Sequence, residues 1–543
     1  MRRTLFFLLV SSLSGIISFS QSSDSKTEIR EQNVQAAAGF TSSNLPIFII
    51  NTNNQQIPDE PKITAHLGII YNGPGMRNNI TDTPNLYDGI IGIELRGNST
   101  QHYPKKPYAI ETRDELGANL NVSLFGMPAE NDWVLRASYF DHTFIRNNLA
   151  CHMSRQTGRW ASRCQHVEIV LNGEYQGIYI LMEKIKRDQG RLDIARLDPD
   201  DVTAPDISGG YIYEITGFET NLGESRYLRY PDYDDAPAAQ INYIRQYDDA
   251  FRTIMRSGYY TDRSLGYVSR IDPASFVDEL IVQEAMRNSD AYGWSGYFHK
   301  DRDKRIEAGP VWDFDQSAGN SSYPDDGVID GWMFEHPGTS NTPFFWPLLF
   351  EDPLFSYSVK QRWQQLRQGP YKTPVLMAYI DSIADLLSEA QLREFEKWPV
   401  LGQYIWRETS GYEQRVTYQL EVEYMKNFLL QRWNWMDNEL AKITNPTSIT
   451  AYQVKSSGNI LVFPNPATDH LVFTIIAGTQ STMTIKIYNN LGVEVQCSKP
   501  YNLPEGSNSL VLPLTLSEQP GIYYYRIFDG DETAFSGRFI RIQ

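Results

Sequence analysis

The feature that most constrains this chain is a change of pattern near residue 445. Before it, Val416, Leu420, Tyr424 and Phe428 lie on one helical stripe and Met425, Leu429, Met436 and Leu440 on an adjacent one, the mark of a closing helix with a broad apolar face. Asn445-Pro446-Thr447 ends that helix, and the polar stretch 446–458 reads as a linker. After it, Met483, Ile485 and Ile487 alternate with Thr484, Lys486 and Tyr488, and further short strands at 471–475, 509–512 and 522–527 are separated by Gly, Pro and Asn turns. A single core seldom serves 543 residues. The expectation is therefore an α+β domain over 44–445 and a small all-β sandwich over 459–543.

Within the first domain, 46–50, 65–71 and 90–95 are apolar strand candidates, and 167–171, 177–182 and 210–215 continue the series. Asp141 is placed to cap a helix carrying Phe144, Ile145, Leu149 and Met153, and Asp272-Pro273 starts another ahead of Phe276, Leu280 and Ile281. At the N-terminus, Met1-Arg2-Arg3 precedes an apolar run and small residues, which reads as a secretory signal peptide over 1–20 followed by a polar leader over 21–43. No later run reaches the ~18 apolar residues of a membrane span, so no transmembrane helix is expected in the mature protein.

The formal charge of −17 argues against a nucleic-acid partner, because such a surface needs clustered Lys and Arg. It does not exclude a nucleotide, whose phosphates respond to near charges. Three cysteines make no disulfide framework; Cys151 and Cys164 are close enough in sequence to pair, and equally readable as small buried residues. Signatures of serine hydrolases, zincins and P-loop enzymes are absent.

What remains is a set of acids, in Asn288-Ser289-Asp290 and in Trp312-Asp313-Phe314-Asp315. If 306–311 continues as extended chain, Asp313 and Asp315 face the same way, and two such carboxylates suit a cation; alone, the pair reads equally as an Asx-turn. Arg96, in ELRGNS, and Lys105 and Lys106, in PKKPY, supply basic groups beside a strand, one of the two lysines facing inward.

Taken in order, ELRGNS, PKKPY, FDHTFIRN (140–147), NGEYQGIYILMEKI (172–185), NSD (288–290) and PVWDFD with Gly319 resemble the CotH (spore coat protein H) kinase family over about 400 residues. The resemblance implies an atypical protein-kinase-like fold that binds ATP with Mg2+ or Mn2+ and phosphorylates exported proteins. On that reading Asp290 matches the catalytic-loop Asp and Asp313 the metal-binding Asp. Ser295 stands where a kinase loop usually has a metal-binding Asn, so either Asp315 is the substitute ligand or activity is weakened, while Glu183 either pairs with an inward lysine or is a surface acid at a strand end. FPNPA (463–467), IYNNLG (487–492) and PGIYYYR (520–526) resemble a type A sorting domain of the type IX secretion system. That resemblance implies passage through the periplasm, handling by the type IX machinery and release or surface attachment. Two other functions compete: a catalytically weak structural or adhesion protein on the same fold, and a metal-dependent nucleotidyl transferase or phosphoesterase.

Overall fold

Strands rich in Ile, Val and Leu open the fold, and the computed structural model closes them into a barrel. It describes residues 39–216, 221–223, 225–336, 343–446, 460–463, 467–477, 479–489, 493–514, 521–529 and 532–541. The expected signal peptide, the leader up to residue 38 and the linker from 447 to 458 lie outside them. The described residues divide into two compact units, one running to Thr444 and one starting at Asn445.

The barrel strands are β1 (Ile47–Asn51), β2 (Ile63–Ile70), β3 (Tyr87–Leu95), β4 (Tyr108–Arg113), β5 (Asp132–Arg136), β6 (Cys164–Leu171) and β7 (Glu174–Glu183). Their order is β1-β2-β3-β4-β5-β7-β6, and β6 returns parallel to β1, with Ile47 opposite Glu168. Closure leaves no open edge on this sheet. Phe48, Leu67, Ile91, Ile110, Trp133 and Leu181 fill the interior. The strand expected at 90–95 is the second half of β3.

After the barrel strand β5 comes α1 (Arg146–Gln156), inserted before β6. Asp141 caps it from a distance: Ile145 is the N-cap residue, but Asp141 Oδ2 accepts the Arg146 amide at 3.0 Å, so Phe144 and Ile145 precede the helix instead of lying in it. A second sheet combines β8 (Tyr211–Ile215), β9 (Arg226–Tyr230), β10 (Gly296–Lys300) and β11 (Ile306–Ala308) in the order β9-β8-β10-β11. Two helices fall between β9 and β10: α2 (Ala238–Met255) and α3 (Pro273–Met286). Asp272 caps α3 by accepting the Ala274 amide at 3.3 Å, with Pro273 in the first turn.

Five further helices complete the unit: α4 (Phe345–Glu351), α5 (Pro353–Gln368), α6 (Thr373–Leu387), α7 (Ala390–Lys397) and α8 (Tyr418–Ala441). Every residue of α3 from Ser275 to Met286 is buried, because α1, α5, α8 and β11 all pack on it. On α8 one of the two expected stripes is wholly core and the other only in part. Met425, Leu429, Met436 and Leu440 are buried, whereas Leu420 is exposed and Val416 lies exposed before the helix begins. Phe428 from that second stripe is buried too, and Val422 and Trp433 widen the buried face further.

Lys105 is the inward member of its pair, but it sits in a loop ahead of β4 and not in alternating β structure. Its ammonium is 2.7 Å from Glu394 Oε1 on α7 and donates to the Ile178 carbonyl at 2.6 Å, while the Ile178 amide donates to Glu394 Oε2 at 2.6 Å. Gly177 has φ +92°, and a Cβ there would lie 2.1 Å from Glu394 Oε2, so only glycine lets β7 approach this carboxylate. Burial opposes both charges, holding Lys105 below and Glu394 above their usual ranges. Removing one partner strands the other. Glu394→Ala is expected to cost about 3–5 kcal/mol of unfolding free energy in a denaturant titration, and Lys105→Met combined with Glu394→Leu to restore most of it.

Among its described residues the C-terminal unit contains strands and no helix. An antiparallel sheet joins β12 (Ile460–Phe463), β13 (His470–Ala477) and, from later in the chain, residues Gly506–Pro513; a second joins β14 (Ser481–Tyr488), β15 (Glu494–Cys497), β16 (Tyr501–Leu503), and the last two strands, Gly521–Asp529 and Glu532–Arg541. Phe473, Ile475, Met483, Ile485, Ile487 and Phe539 form one core. The period-two alternation of β14 is realised as expected: Met483, Ile485 and Ile487 are buried, and Thr484, Lys486 and Tyr488 are not.

Candidate active site

Arg136, the last residue of β5, organises the acids. Its Nη1 lies 2.7 Å from Asp313 Oδ1 and 2.7 Å from Asp315 Oδ2, so one guanidinium nitrogen bridges both carboxylates. The two do not meet by the expected route. β11 stops at Ala308, and Asp313 has φ +64°, a left-handed conformation that Asp tolerates better than most residues. A turn at Asp313, not an extended strand, brings the pair together.

The FDHTFIRN block holds that turn from behind. Asn147 Nδ2 donates to Asp315 Oδ1 at 2.5 Å, and Asn147 Oδ1 accepts the Phe314 amide at 3.0 Å. Its neighbour Arg146 pairs with Asp141 at 2.6 Å, both fully buried, and donates through Nε to the Ser317 carbonyl at 2.9 Å. The helix α3 delivers the third acid. Arg287, at φ +45°, ends it and turns the chain, after which Asn288 Oδ1 accepts the Asp290 amide at 3.2 Å and Asn288 Nδ2 donates to the Asp313 carbonyl at 3.3 Å. Ser295 Oγ donates to Asp313 Oδ2 at 3.4 Å.

The three carboxylates differ in ionisation because their counter-charges differ. Burial works against ionisation of Asp313, but Arg136, with Arg96 and Ser295, outweighs it and holds this acid below the usual carboxylate range. Burial raises Asp315 to about 6, aided by Asp313 and opposed by Arg136. Burial likewise raises Asp290 to about 6; Asp313 and Asp315 push the same way, and Arg407, 3.6 Å from Asp290 Oδ1, pulls it down.

Among the described residues no three His, Cys, Asp or Glu side chains are arranged to hold a metal ion, so a divalent cation at the acids would be centred on Asp313 and take most of its oxygens from water or phosphate. A hard cation needs free oxygens. Both oxygens of Asp315 are engaged, by Arg136 and Asn147, whereas the Asp313 carboxylate is 39% exposed and its Oδ2 has only the long contact with Ser295. Asp313 and Ser295 are the residues that would hold it; Asp315 is better placed to hold Arg136.

The predicted basic residues separate. Arg96 stacks on the Trp312 indole at 5.1 Å, and Arg136 lies 5.2 Å from the same ring, so two guanidiniums sit beside the acids. Arg96 is partly exposed and has no carboxylate partner among the described residues; burial and Arg136 lower its pKa. Lys105 belongs to the Glu394 pair, and Lys106 donates to the Gln101 carbonyl at 2.6 Å. Glu183 is neither a lysine partner nor a surface acid. It is fully buried at the end of β7, bound by Arg163 at 2.6 and 2.8 Å. Cys151 and Cys164 are free thiols in contact with each other, with no disulfide.

Sequence reasoning missed Arg136, Asn147 and Arg407. Asn147 was within a recognised block and adjacent to a helix start, which was signal enough. Arg136 and Arg407 had none: each is a lone arginine whose partner lies over a hundred residues away in the chain.

Together these features define an α+β protein in which a barrel-borne guanidinium is clamped by two carboxylates beside a third on a helix-following loop. The CotH kinase protein family matches residues 93–436, and the chain belongs to that family. The secretion system C-terminal sorting domain matches residues 461–541. Such a tail implies handling by type IX secretion machinery and a secreted or cell-surface location. Among the described residues no helix is long and apolar enough to cross a membrane. No curated protein matches the chain. Two solved structures show slight likeness: dimeric latent PorU from Porphyromonas gingivalis, 21% identical over 16% of this chain and 9% of that one with a TM-score of 0.14, and the Pseudomonas fluorescens alkylpurine DNA glycosylase AlkC bound to abasic-site DNA, 11% identical over 36% of this chain and 66% of that one with a TM-score of 0.13. Neither carries an argument about this fold.

Proposed function

We propose that the chain is an exported atypical protein kinase that transfers the ATP γ-phosphate to a hydroxyl side chain of another exported protein. The observation that carries this reading is the Arg136 bridge between Asp313 and Asp315, with Asp290 close enough for both acids to raise its pKa. Phosphoryl transfer asks little covalent chemistry of a protein; it asks for charge neutralisation, positioning and an acid to orient the acceptor.

Each requirement has a residue. Arg96, without a carboxylate partner, is available to phosphate oxygens, and its seat on Trp312 fixes its plane. Asp290, at about 6, is mostly ionised at neutral pH and accepts the acceptor hydroxyl's hydrogen bond and then its proton. Asp315 and Asn147 lock Arg136, and Arg136 in turn orients Asp313. A divalent cation held by Asp313 and Ser295 would supply neutralisation of phosphate charge. The kinase-like domain is proposed to span 44–445 and the sorting sandwich 459–543.

Incubation of the purified chain with γ-labelled and α-labelled ATP tests the reading. Label from γ alone on protein is the expected result; label from α would indicate nucleotidyl transfer, and no label a structural role. Intact-mass measurement tests the processing: the exported form is expected to begin near Gln21 and to lack 459–543, and an exported species retaining that tail would overturn the proposed cleavage.

A further inference from the structure

Two turns before its end, α3 carries a carboxyl group that the proposed reaction does not use. Glu279 is 8% exposed; Gln283 Nε2 donates to its Oε1 at 2.9 Å, and among the described residues nothing donates to its Oε2 and no cation pairs with it. Burial raises its pKa to about 7, against the Gln283 hydrogen bond and with help from Asp278. An unpaired carboxyl in the interior costs stability unless something compensates it.

Glu279 lines a cavity of about 270 Å3, together with Trp160, Arg159, His299, Lys304 and Pro310. Most of the other charges there are matched; Arg191, which also lines the cavity, has no carboxylate partner among the described residues and donates to the Lys184 and Asp132 carbonyls at 2.9 and 2.7 Å. Arg159 pairs with Asp272, Asp278 and Glu307 at 3.2, 3.0 and 2.7 Å, and Lys304 with Asp301 at 2.9 Å. His299 faces the Gly309 carbonyl through Nδ1 at 3.1 Å. Exposed Asp193 adds a further negative charge to the lining. With Asp193, Asp278, Glu279, Asp301 and Glu307 set against Arg159, Arg191 and Lys304, the lining is acidic on balance and favours a positively charged occupant over an anion.

A metal ion suits it poorly. A hard divalent cation takes six or more oxygens, and among the described residues no three His, Cys, Asp or Glu side chains are arranged to hold one. The space is several times the ~30 Å3 that a water occupies in the liquid, and an indole lines it, the surface an organic cation prefers. We propose that this cavity binds a small organic cation, a primary amine whose ammonium group donates to Glu279 and rests against Trp160.

The test uses the full chain, titrated calorimetrically near pH 7.5 with 1,4-diaminobutane, with butane-1,4-diol as neutral isostere and magnesium chloride as competitor. Saturable one-to-one binding of the diamine, and none of the diol, is expected. Glu279→Gln should weaken the diamine by about tenfold or more with the melting temperature kept or raised, since a charge-assisted hydrogen bond is lost and a buried acid removed. Trp160→Phe, which keeps an aromatic face, should weaken it only a fewfold and guards against misfolding of the first variant. Absence of saturable diamine binding, equal binding of the diol, displacement by magnesium, or unchanged affinity in folded Glu279→Gln would each overturn the proposal.

Discussion

Asp290→Ala is expected to cut γ-phosphoryl transfer by about a hundredfold or more while leaving ATP affinity within a few fold. On the proposed reading Asp290 stands on the acceptor side of the site. Its amide donates to Asn288 Oδ1, the cation nearest its carboxylate is Arg407, and among the described residues no ion pair ties it to Arg136 or Arg96. Removing its carboxylate therefore takes away the group that orients and deprotonates the acceptor hydroxyl and leaves the guanidiniums in place. It also removes a repelled charge, because Asp313 and Asp315 both raise the Asp290 pKa. Single-turnover kinetics with a labelled acceptor, run beside calorimetric ATP titration, separates the two effects. A parallel loss of affinity and transfer would move Asp290 to the nucleotide side.

Asp313→Ala should instead abolish metal-supported ATP binding. It is the most exposed carboxylate of the pair, the one with an oxygen left open, and the one held ionised by Arg136. Without it Ser295 has no carboxylate to complete a cation site, and nucleotide affinity should become independent of magnesium or manganese. Asp315→Ala is expected to fail differently. Both Asp315 oxygens are engaged by Arg136 and Asn147, so its loss leaves the Asn147 amide unsatisfied and Arg136 with Asp313 as its remaining carboxylate, at a cost of about 1–3 kcal/mol in stability. Calorimetric titration with and without metal, paired with thermal unfolding, distinguishes them. Unchanged metal-supported binding in Asp313→Ala would refute the site; equal loss of metal dependence in a fully stable Asp315→Ala would restore Asp315 as a ligand.

The contrast between those two acids shows where local reasoning stops. From spacing alone Asp313 and Asp315 look equivalent, since an extended chain would present both on one face. The left-handed turn at Asp313 and the approach of Asn147 from α1 make one open and one closed. Similarly, PKKPY offers two lysines as phosphate ligands, but the burial of Lys105 against Glu394 depends on a helix 289 residues further on.

Whatever depends on near neighbours was legible along the chain: the division near residue 445, the alternating strand β14, the Asp272-Pro273 start of α3, and the acids of the NSD and WDFD segments. Period and capping are set within a few residues of each position, so they are readable without the fold. Only the tertiary structure decided which charges meet. Arg136 finds its partners at 313 and 315, Arg407 faces Asp290, Glu183 takes Arg163, and one expected stripe of α8 is core throughout while the other buries Phe428 and leaves Leu420 exposed. Such pairings are fixed by barrel closure and helix packing, which bring together chain segments that local preference cannot relate, and by the cost of leaving a buried charge without a counter-charge.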